Sequence, residues 1–465
     1  MTNQPAGRIG LFAIGLEAYW QQFPGLKERL ESYLRVVQER LPGDVIPAGL
    51  VDTAMGAADA GALFARSDLD LIVCHAATYA TSSQVLPVVQ RAKAPVLVLN
   101  LQPAAALDYE HTDTGEWLAH CSTCCVPEIS NAFARARVPF RVISGMLHDD
   151  EAAWGQIASW CRAAGVVRAL RTSRIGFLGH TYPGMLDMYS DFTMISAQTG
   201  AHIEVLEMCD LDQAVTQATD AEVESKLETV RGAFELEQVG DEELEWAARV
   251  AAGLDRMVEK FRLSGLAYYY RGLDGNRYER LSAGLILGNS LLTARGIPAS
   301  GEGDLKNCLA MKILDCLGAG GSFTEFYAMD FRERFVLMGH DGPAHLAISS
   351  RKPVLRGLGL YHGKRGHGVS VEFRVKTGPV TLLAMTQTAE GKLKLLAAEG
   401  ESIPGPILRI GNTNSRLRFP LGPAAFVDEW CRQGPTHHSA LGVGHLRGAI
   451  EKVAELMELP LTVVC

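Results

Sequence analysis

Two carboxylates and two imidazoles in the last third of the chain have the types and surroundings to collect a divalent cation: Glu302, Glu325, His340 and His438. Glu302 lies between glycines in Gly301-Glu302-Gly303-Asp304. An amphipathic run follows it (Leu305, Leu309, Ile313, Leu317), which places it in a loop entering a helix. Glu325 follows a small-residue stretch, 318–324, read as a helix exit into a strand-like run, 326–331. His340 ends a second such run, 335–339, and His438 of the His437-His438 pair is the candidate fourth ligand. An oxygen and nitrogen set without cysteine suits Mn²⁺, with Co²⁺, Mg²⁺ or Zn²⁺ as alternatives. Such an ion keeps positions for adjacent hydroxyl and carbonyl oxygens of a substrate and acidifies the C–H beside the carbonyl. Two carboxylates flanking those carbons could move the proton through an enediol, which is aldose–ketose isomerisation. Plainer readings compete. A Glu in a Gly-rich turn is usually a helix N-terminal anion, His340 can be a satisfied strand-end histidine, and 437–438 can cap the last helical region. His345, His362 and His367 are rival ligands.

The elements that must position these groups come from a chain of 465 residues, long enough for two or three domains. Hydrophobic residues make up 47% and charged residues 21%, so a sizeable core is available. A net charge of −9 argues against nucleic acid or an anionic membrane as partner. No apolar run approaches the ~20 residues of a spanning helix, residues 1–5 lack a basic-then-apolar leader, and the ten cysteines are scattered. A cytoplasmic enzyme of small molecules is the expectation.

Strand-like runs at 8–15, 44–51, 69–75, 95–101 and 140–144 alternate with helical patterns at 24–41, 54–65, 83–92, 127–136 and 151–170. That alternation predicts a doubly wound parallel sheet, with ligand crevices at the carboxyl ends of its strands. A second alternating region has strands at 174–179, 203–206 and 265–270 and helices at 211–236 and 241–263. Its loop 180–187 carries His180, a candidate ligand or a hydrogen-bonded loop histidine. Beyond 322 the texture changes to strand-length runs at 323–330, 334–340, 368–375, 380–386, 392–399 and 407–410, joined by Gly/Pro turns. A helix over 444–457 and a strand at 461–464 finish the chain. The expected architecture is α/β: two doubly wound parallel-sheet domains (1–172, and 173–321 with the first ligand Glu) and a C-terminal antiparallel β-barrel domain (322–465) with the remaining ligands. Cys121-Ser122-Thr123-Cys124-Cys125 has no second Cys pair at zinc-ribbon spacing and reads as a packed loop.

Gly301-Glu302-Gly303-Asp304-Leu305-Lys306 resembles the Gly-Glu-Gly-Asp-Trp-Lys signature of L-arabinose isomerases, in the wider L-arabinose/L-fucose isomerase-like group. Gly321-Ser322-Phe323-Thr324-Glu325-Phe326-Tyr327 is similar to that family's Gly-Thr-Ser-Phe-Met-Glu-Asp-Tyr segment, and Val336-Leu337-Met338-Gly339-His340 to its Val-Leu-Gly-x-His strand. Gly378-Pro379, Glu399-Gly400-Glu401 and Gly434-Pro435-Thr436-His437-His438 follow in the same order. The resemblance implies metal ligands at Glu302, Glu325, His340 and His438, and acid/base carboxylates at Glu302 and Glu325. It implies a substrate-contacting histidine at His437 and sugar-pocket residues at Phe323 and Met185. It also implies a trimer-based, often hexameric assembly in which a neighbour's N-terminal domain covers a sugar substrate. Leu305 and Phe326 replace the family's Trp and Asp. Ala13-Ile14-Gly15-Leu16-Glu17-Ala18-Tyr19-Trp20 has no match to its Gly-Ser-Gln-His-Leu-Tyr, and Cys124-Cys125-Val126-Pro127-Glu128 stands where it has His-Gly-Gly-Arg-Glu. The chemistry is therefore expected to be kept and the substrate changed, with Glu17, Tyr19, Trp20 and Cys124 as positions that recognise something else. Two other outcomes share these residues: an epimerase using the same enediol, and a sugar-binding or regulatory protein without turnover.

Overall fold

The computed structural model describes residues 5–273, 275–358 and 368–465. They divide into two compact units, one running up to Arg168 and the other from Ala169 to Cys465.

In the first unit, β1 (Arg8–Ile14), β2 (Asp44–Val51), β3 (Leu71–His75), β4 (Val96–Gln102) and β5 (Phe140–Met146) form a parallel sheet in the order β2-β1-β3-β4-β5. The inner strands are apolar almost throughout because helices cover both faces. Phe12, Phe64, Ile72, Val98 and Phe133 meet in its core. The stretch read as a cysteine-bearing loop instead opens a helix, Ser122–Arg135, with Cys121 at its N-cap and Cys124 and Cys125 in its first turn. The expected start at Pro127 lies instead inside a helix that begins at Ser122, where proline cannot donate to the Thr123 carbonyl.

The second unit begins with β6 (Arg174–Gly179), β7 (His202–Leu206), β8 (Glu235–Glu237), β9 (Gly265–Tyr269) and β10 (Ala299–Ser300). Four of these make a parallel sheet in the order β10-β9-β6-β7. The single helix expected over 211–236 is two, Met208–Thr216 and Asp220–Ala233, because Thr219 and Glu222 form a capping box that restarts it.

Nine strands follow among the described residues: β11 (Gly320–Asp330), β12 (Phe335–His340), β13 (Val354–Leu358), β14 (Gly368–Glu372), β15 (Gly378–Gln387), β16 (Leu393–Ile403), β17 (Thr413–Arg418), β18 (Ser439–Val443) and β19 (Leu461–Val463). Six of them close an antiparallel barrel, β15-β18-β11-β12-β17-β16, through the β15–β16 pairing. The barrel thus exists, with two changes from the expected strands. The run 368–375 is not a barrel strand: β14 pairs with β13, which pairs with β8, in a separate three-stranded sheet. The run 407–410 is not a strand either. Pro404 and Pro406 cannot donate to a ladder, and the Leu408 N–H and C=O are taken by the Asn414 side chain. The strand is the more polar 413–418, buried by closure of the barrel.

The helix Leu305–Cys316 touches β9 on one side and β15 and β18 on the other. Its apolar stripe was read as one face, but every residue except Lys312 is buried, as befits a helix packed between a sheet and a barrel. The barrel core includes Leu382, Leu396, Leu417, Phe426 and Trp430; burying each such side chain is worth about 1.5–3 kcal/mol. No helix among the described residues is long and apolar enough to cross a membrane.

Candidate metal centre

The four sequence-predicted ligands converge within the second unit. Glu325 lies inside β11, opposite Gly339 of β12, rather than at the strand's start; this sets it beside His340. On the other side of β11, Thr324 pairs with Ser439, so His438 arrives one residue before β18. Three adjacent strands therefore deliver Glu325, His340 and His438 to one end of the barrel. Gly339 is required there, because a Cβ would stand 2.3 Å from the Thr413 carbonyl oxygen.

Glu302 comes from the turn Gly301–Gly303 between β10 and the buried helix. Its backbone is left-handed (φ 58°), a conformation costing a non-glycine residue about 1–3 kcal/mol that tends to persist at functional sites. Gly303 (φ 73°) follows it, and a Cβ there would stand 2.7 Å from the His180 carbonyl oxygen. The Glu302 carbonyl accepts from the Tyr182 N–H at 2.9 Å. The turn is thus clamped to the loop after β6.

Two sets of potential ligand atoms, each mutually within 4.8 Å, share His438: Glu302 with His437 and His438, and Glu325 with His340 and His438. Glu302 Oε2 is 3.5 Å from His438 Nε2, too far for a hydrogen bond, and His340 Nε2 is 3.9 Å from Glu325 Oε1. Glu302 Oε2 and His438 Nε2 are buried without a hydrogen-bond partner among the described residues. Buried polar atoms are costly when left so, and a cation between them fits both. Burial alone would raise the Glu302 carboxyl, but the nearby His437, His438 and His340 imidazoles hold it below its usual value. It is ionised at neutral pH.

The supporting shell is acidic. His438 Nδ1 lies 3.1 Å from Asp304 Oδ2, while Asp304 Oδ1 accepts from the Asn307 N–H and caps the buried helix. His340 Nδ1 is 2.9 Å from Asp341 Oδ1. His437 Nδ1 is 2.7 Å from Asp187 Oδ2, and its Nε2 is 3.6 Å from Glu302. Burial lowers the His437 pKa, but these two carboxylates outweigh it and bring it to about 9. Burial lowers His438. A cationic His437 is a poor metal ligand and a good hydrogen-bond donor, whereas a neutral His438 keeps a lone pair.

Glu302, Glu325, His340, Asp341 and His437 line a cavity of about 290 Å³ with Met185 and tyrosines 182, 268, 269 and 270. Phe323 lies behind it, its ring 4.3 Å from those of both His340 and His438, as a wedge that spaces them. His180 is not in the wall: Nδ1 faces the Thr181 carbonyl (2.8 Å) and Nε2 accepts from the Arg271 N–H (3.4 Å). Its loop-histidine reading holds. His345 is buried against Asp315 (3.2 Å) outside both ligand sets, and His362 and His367 lie outside the described residues. Lys306, also buried, donates to the Met188 and Tyr189 carbonyls and to Ser190 Oγ, tying the helix to the loop carrying Met185 and Asp187. Asp187, Asp304, Asp341, Lys306 and the tyrosines were not singled out in the sequence. The Asp and Lys of the Gly-Glu-Gly-Asp-Leu-Lys motif were the available signal.

Glu17, Tyr19, Trp20 and Cys124 belong to the first unit. Glu17–Tyr19 form a turn after β1, and the Trp20 indole donates to Asp52 Oδ2 at 2.9 Å. Burial raises the Tyr19 phenol, and the neighbouring Cys121, Tyr79 and Cys124 raise it further. Cys124 is exposed.

The sequence is similar to those of known sugar isomerases. Residues 320–460 match the L-arabinose isomerase C-terminal domain family. The chain is 27% identical over 322 residues to an L-arabinose isomerase of Herpetosiphon aurantiacus, covering 66% of this chain and 62% of that protein. It is 23% identical over 390 residues to an L-arabinose isomerase of Shewanella sp. (strain ANA-3), covering 80% and 75%. It is also 23% identical over 398 residues to a sulfoquinovose isomerase of Alkalicoccus urumqiensis, covering 84% and 85%. The chain is thus similar in sequence to sugar isomerases, and the six barrel strands lie within the residues that match the L-arabinose isomerase C-terminal domain.

Proposed function

We propose that the protein is a divalent-metal-dependent aldose–ketose isomerase, using Mn²⁺ or alternatively Co²⁺ or Mg²⁺ held by Glu302, Glu325, His340 and His438. The observation that carries this reading is the convergence of two carboxylates and two imidazoles from separate elements: Glu302, Glu325 and His340 line the cavity, His438 is fully buried beside them, and two of their atoms are buried and unpartnered among the described residues. When bound, the cation would polarise the sugar carbonyl and acidify the adjacent C–H. Glu302 and Glu325 line the cavity as the pair of bases, one removing the carbon-bound proton and one returning it to the neighbouring carbon. His437, held cationic by Asp187 and Glu302, donates to a substrate oxygen. Met185 and the tyrosines keep water from the enediol. The relatives' names support sugar isomerisation as the reaction class. Arabinose is not assigned as the sugar, because the segments after β1 and at the Ser122–Arg135 helix depart from the arabinose isomerase pattern. A homo-oligomer, trimer or hexamer, in the cytoplasm completes the proposal; the cysteines, all free, suit that compartment.

The test is ketose formation from a panel of pentoses, hexoses, deoxysugars and tetroses with Mn²⁺-loaded protein. Turnover that stops with chelator and in Glu302→Gln is expected. Undiminished turnover in Glu302→Gln would overturn the assignment.

A further inference from the structure

Away from the cavity, a second concavity of about 230 Å³ is lined by Arg351, Arg374 and Arg409, with Ser350 and the backbone at Gly405 to Ile407. None of these residues lines the metal cavity. In a chain of net charge −9, three arginines line one groove, and among the described residues none of the three has a carboxylate partner. A fourth arginine beside them, Arg416, does have one, Glu333 at 2.9 Å. The groove has a fixed part. Arg374 is anchored where Val375 bridges Ser349, its carbonyl accepts from the Ser350 N–H, and its Nη1 donates to the Gly405 carbonyl at 3.0 Å. Its Nε–H is buried and unpartnered. Arg351 and Arg409 stand exposed at the rim.

We propose that this groove is an anion site for a phosphoryl group. Guanidinium stays charged at any physiological pH, and its planar fork of donors matches the oxygens of phosphate. Three such forks around one pocket, plus a serine hydroxyl, suit a dianion better than a monovalent ion. No aromatic side chain lines the groove, so nothing is provided for stacking a nucleobase. The ligand is inorganic phosphate or the phosphate monoester of a small polyol.

The experiment is titration calorimetry on the full chain, freed of metal with chelator and desalted. Inorganic phosphate and glycerol phosphate are titrated against a chloride control of equal ionic strength. Saturable binding of at least one of the two is expected, with no matching signal from chloride. Arg351→Ala and Arg409→Ala, both exposed and so not needed for folding, should each weaken it about tenfold or more, while Glu302→Gln leaves it unchanged. Whichever phosphate binds tighter identifies the source. No saturable binding at millimolar concentration, or equal binding by the Arg351→Ala/Arg409→Ala double variant, overturns the proposal.

Discussion

His438 Nδ1 lies 3.1 Å from Asp304 Oδ2, and both side chains are fully buried. A carboxylate there can only accept, so the imidazole proton sits on Nδ1 and the lone pair on Nε2 points toward Glu302. The same aspartate caps the helix Leu305–Cys316 through its other oxygen. One residue thereby fixes the tautomer of a ligand and the start of the helix that backs the site.

Asp304→Asn is predicted to separate these tasks. The amide oxygen can still cap, but the amide NH₂ would face His438 and favour the proton on Nε2. Mn²⁺ affinity should fall about 10–100-fold, while stability falls by no more than about 1 kcal/mol. Calorimetry of metal binding and thermal unfolding read the two separately; unchanged affinity would refute the tautomer argument.

Metal binding should register as stability. Chelator-treated protein is predicted to melt several degrees lower than protein saturated with Mn²⁺, since ligand at 100 times Kd stabilises by about 2.7 kcal/mol. Glu325→Gln and His340→Gln should melt at one temperature with and without Mn²⁺. A full Mn²⁺ shift in either variant would remove that residue from the ligand set.

Lys306 is buried, and burial lowers its pKa. That penalty offsets much of its three hydrogen bonds, so Lys306→Met should cost only about 1 kcal/mol of stability. What it releases is the loop bearing Met185 and Asp187. The prediction is a KM raised about tenfold, roughly the loss of one net hydrogen bond's worth of positioning, with metal affinity unchanged. An unaltered KM would show that the loop is held by other contacts.

The first unit carries an acid-sensitive group. His75 ends β3 fully buried, with neither ring nitrogen hydrogen-bonded among the described residues, and burial lowers its pKa to about 4. Its folded pKa is depressed below the unfolded value of about 6.5. Between those values the unfolded state binds more protons, so stability is full above pH 6.5 and falls as pH drops through 4, by up to about 3 kcal/mol. Thermal unfolding at pH 7 and pH 4.5 should show that loss in the parent and not in His75→Leu; equal acid sensitivity would exclude His75 as its source.

The parts of this fold visible in the sequence are those set by local pattern. The apolar β1, β3 and β4, the glycine-flanked Glu302 and the paired His437-His438 could be read from neighbours in the chain. The pairings of Asp304 and Asp187 could not, because their partners lie 134 and 250 residues away and meet them only in the folded chain. β17 was hidden for another reason. Its polar Thr-Asn-Ser-Arg-Leu-Arg run is a strand because the closed barrel supplies partners on both edges, whereas the more apolar 407–410 lost its ladder to prolines and to Asn414. Likewise, the amphipathic stripe of 305–316 gave no sign that a barrel would cover the helix's opposite face.

The central claim is that Glu302 and Glu325 pass a carbon-bound proton between neighbouring carbons of a sugar. The most direct measurement is NMR of the sugar panel incubated in D₂O with Mn²⁺-loaded protein. Deuterium entering beside the carbonyl as ketose appears, and absent in Glu302→Gln and Glu325→Gln, is the predicted result. Deuterium incorporation that persists in both variants, or ketose formed by the parent with no exchange and with the hydrogen carried intact between the two carbons, would contradict it.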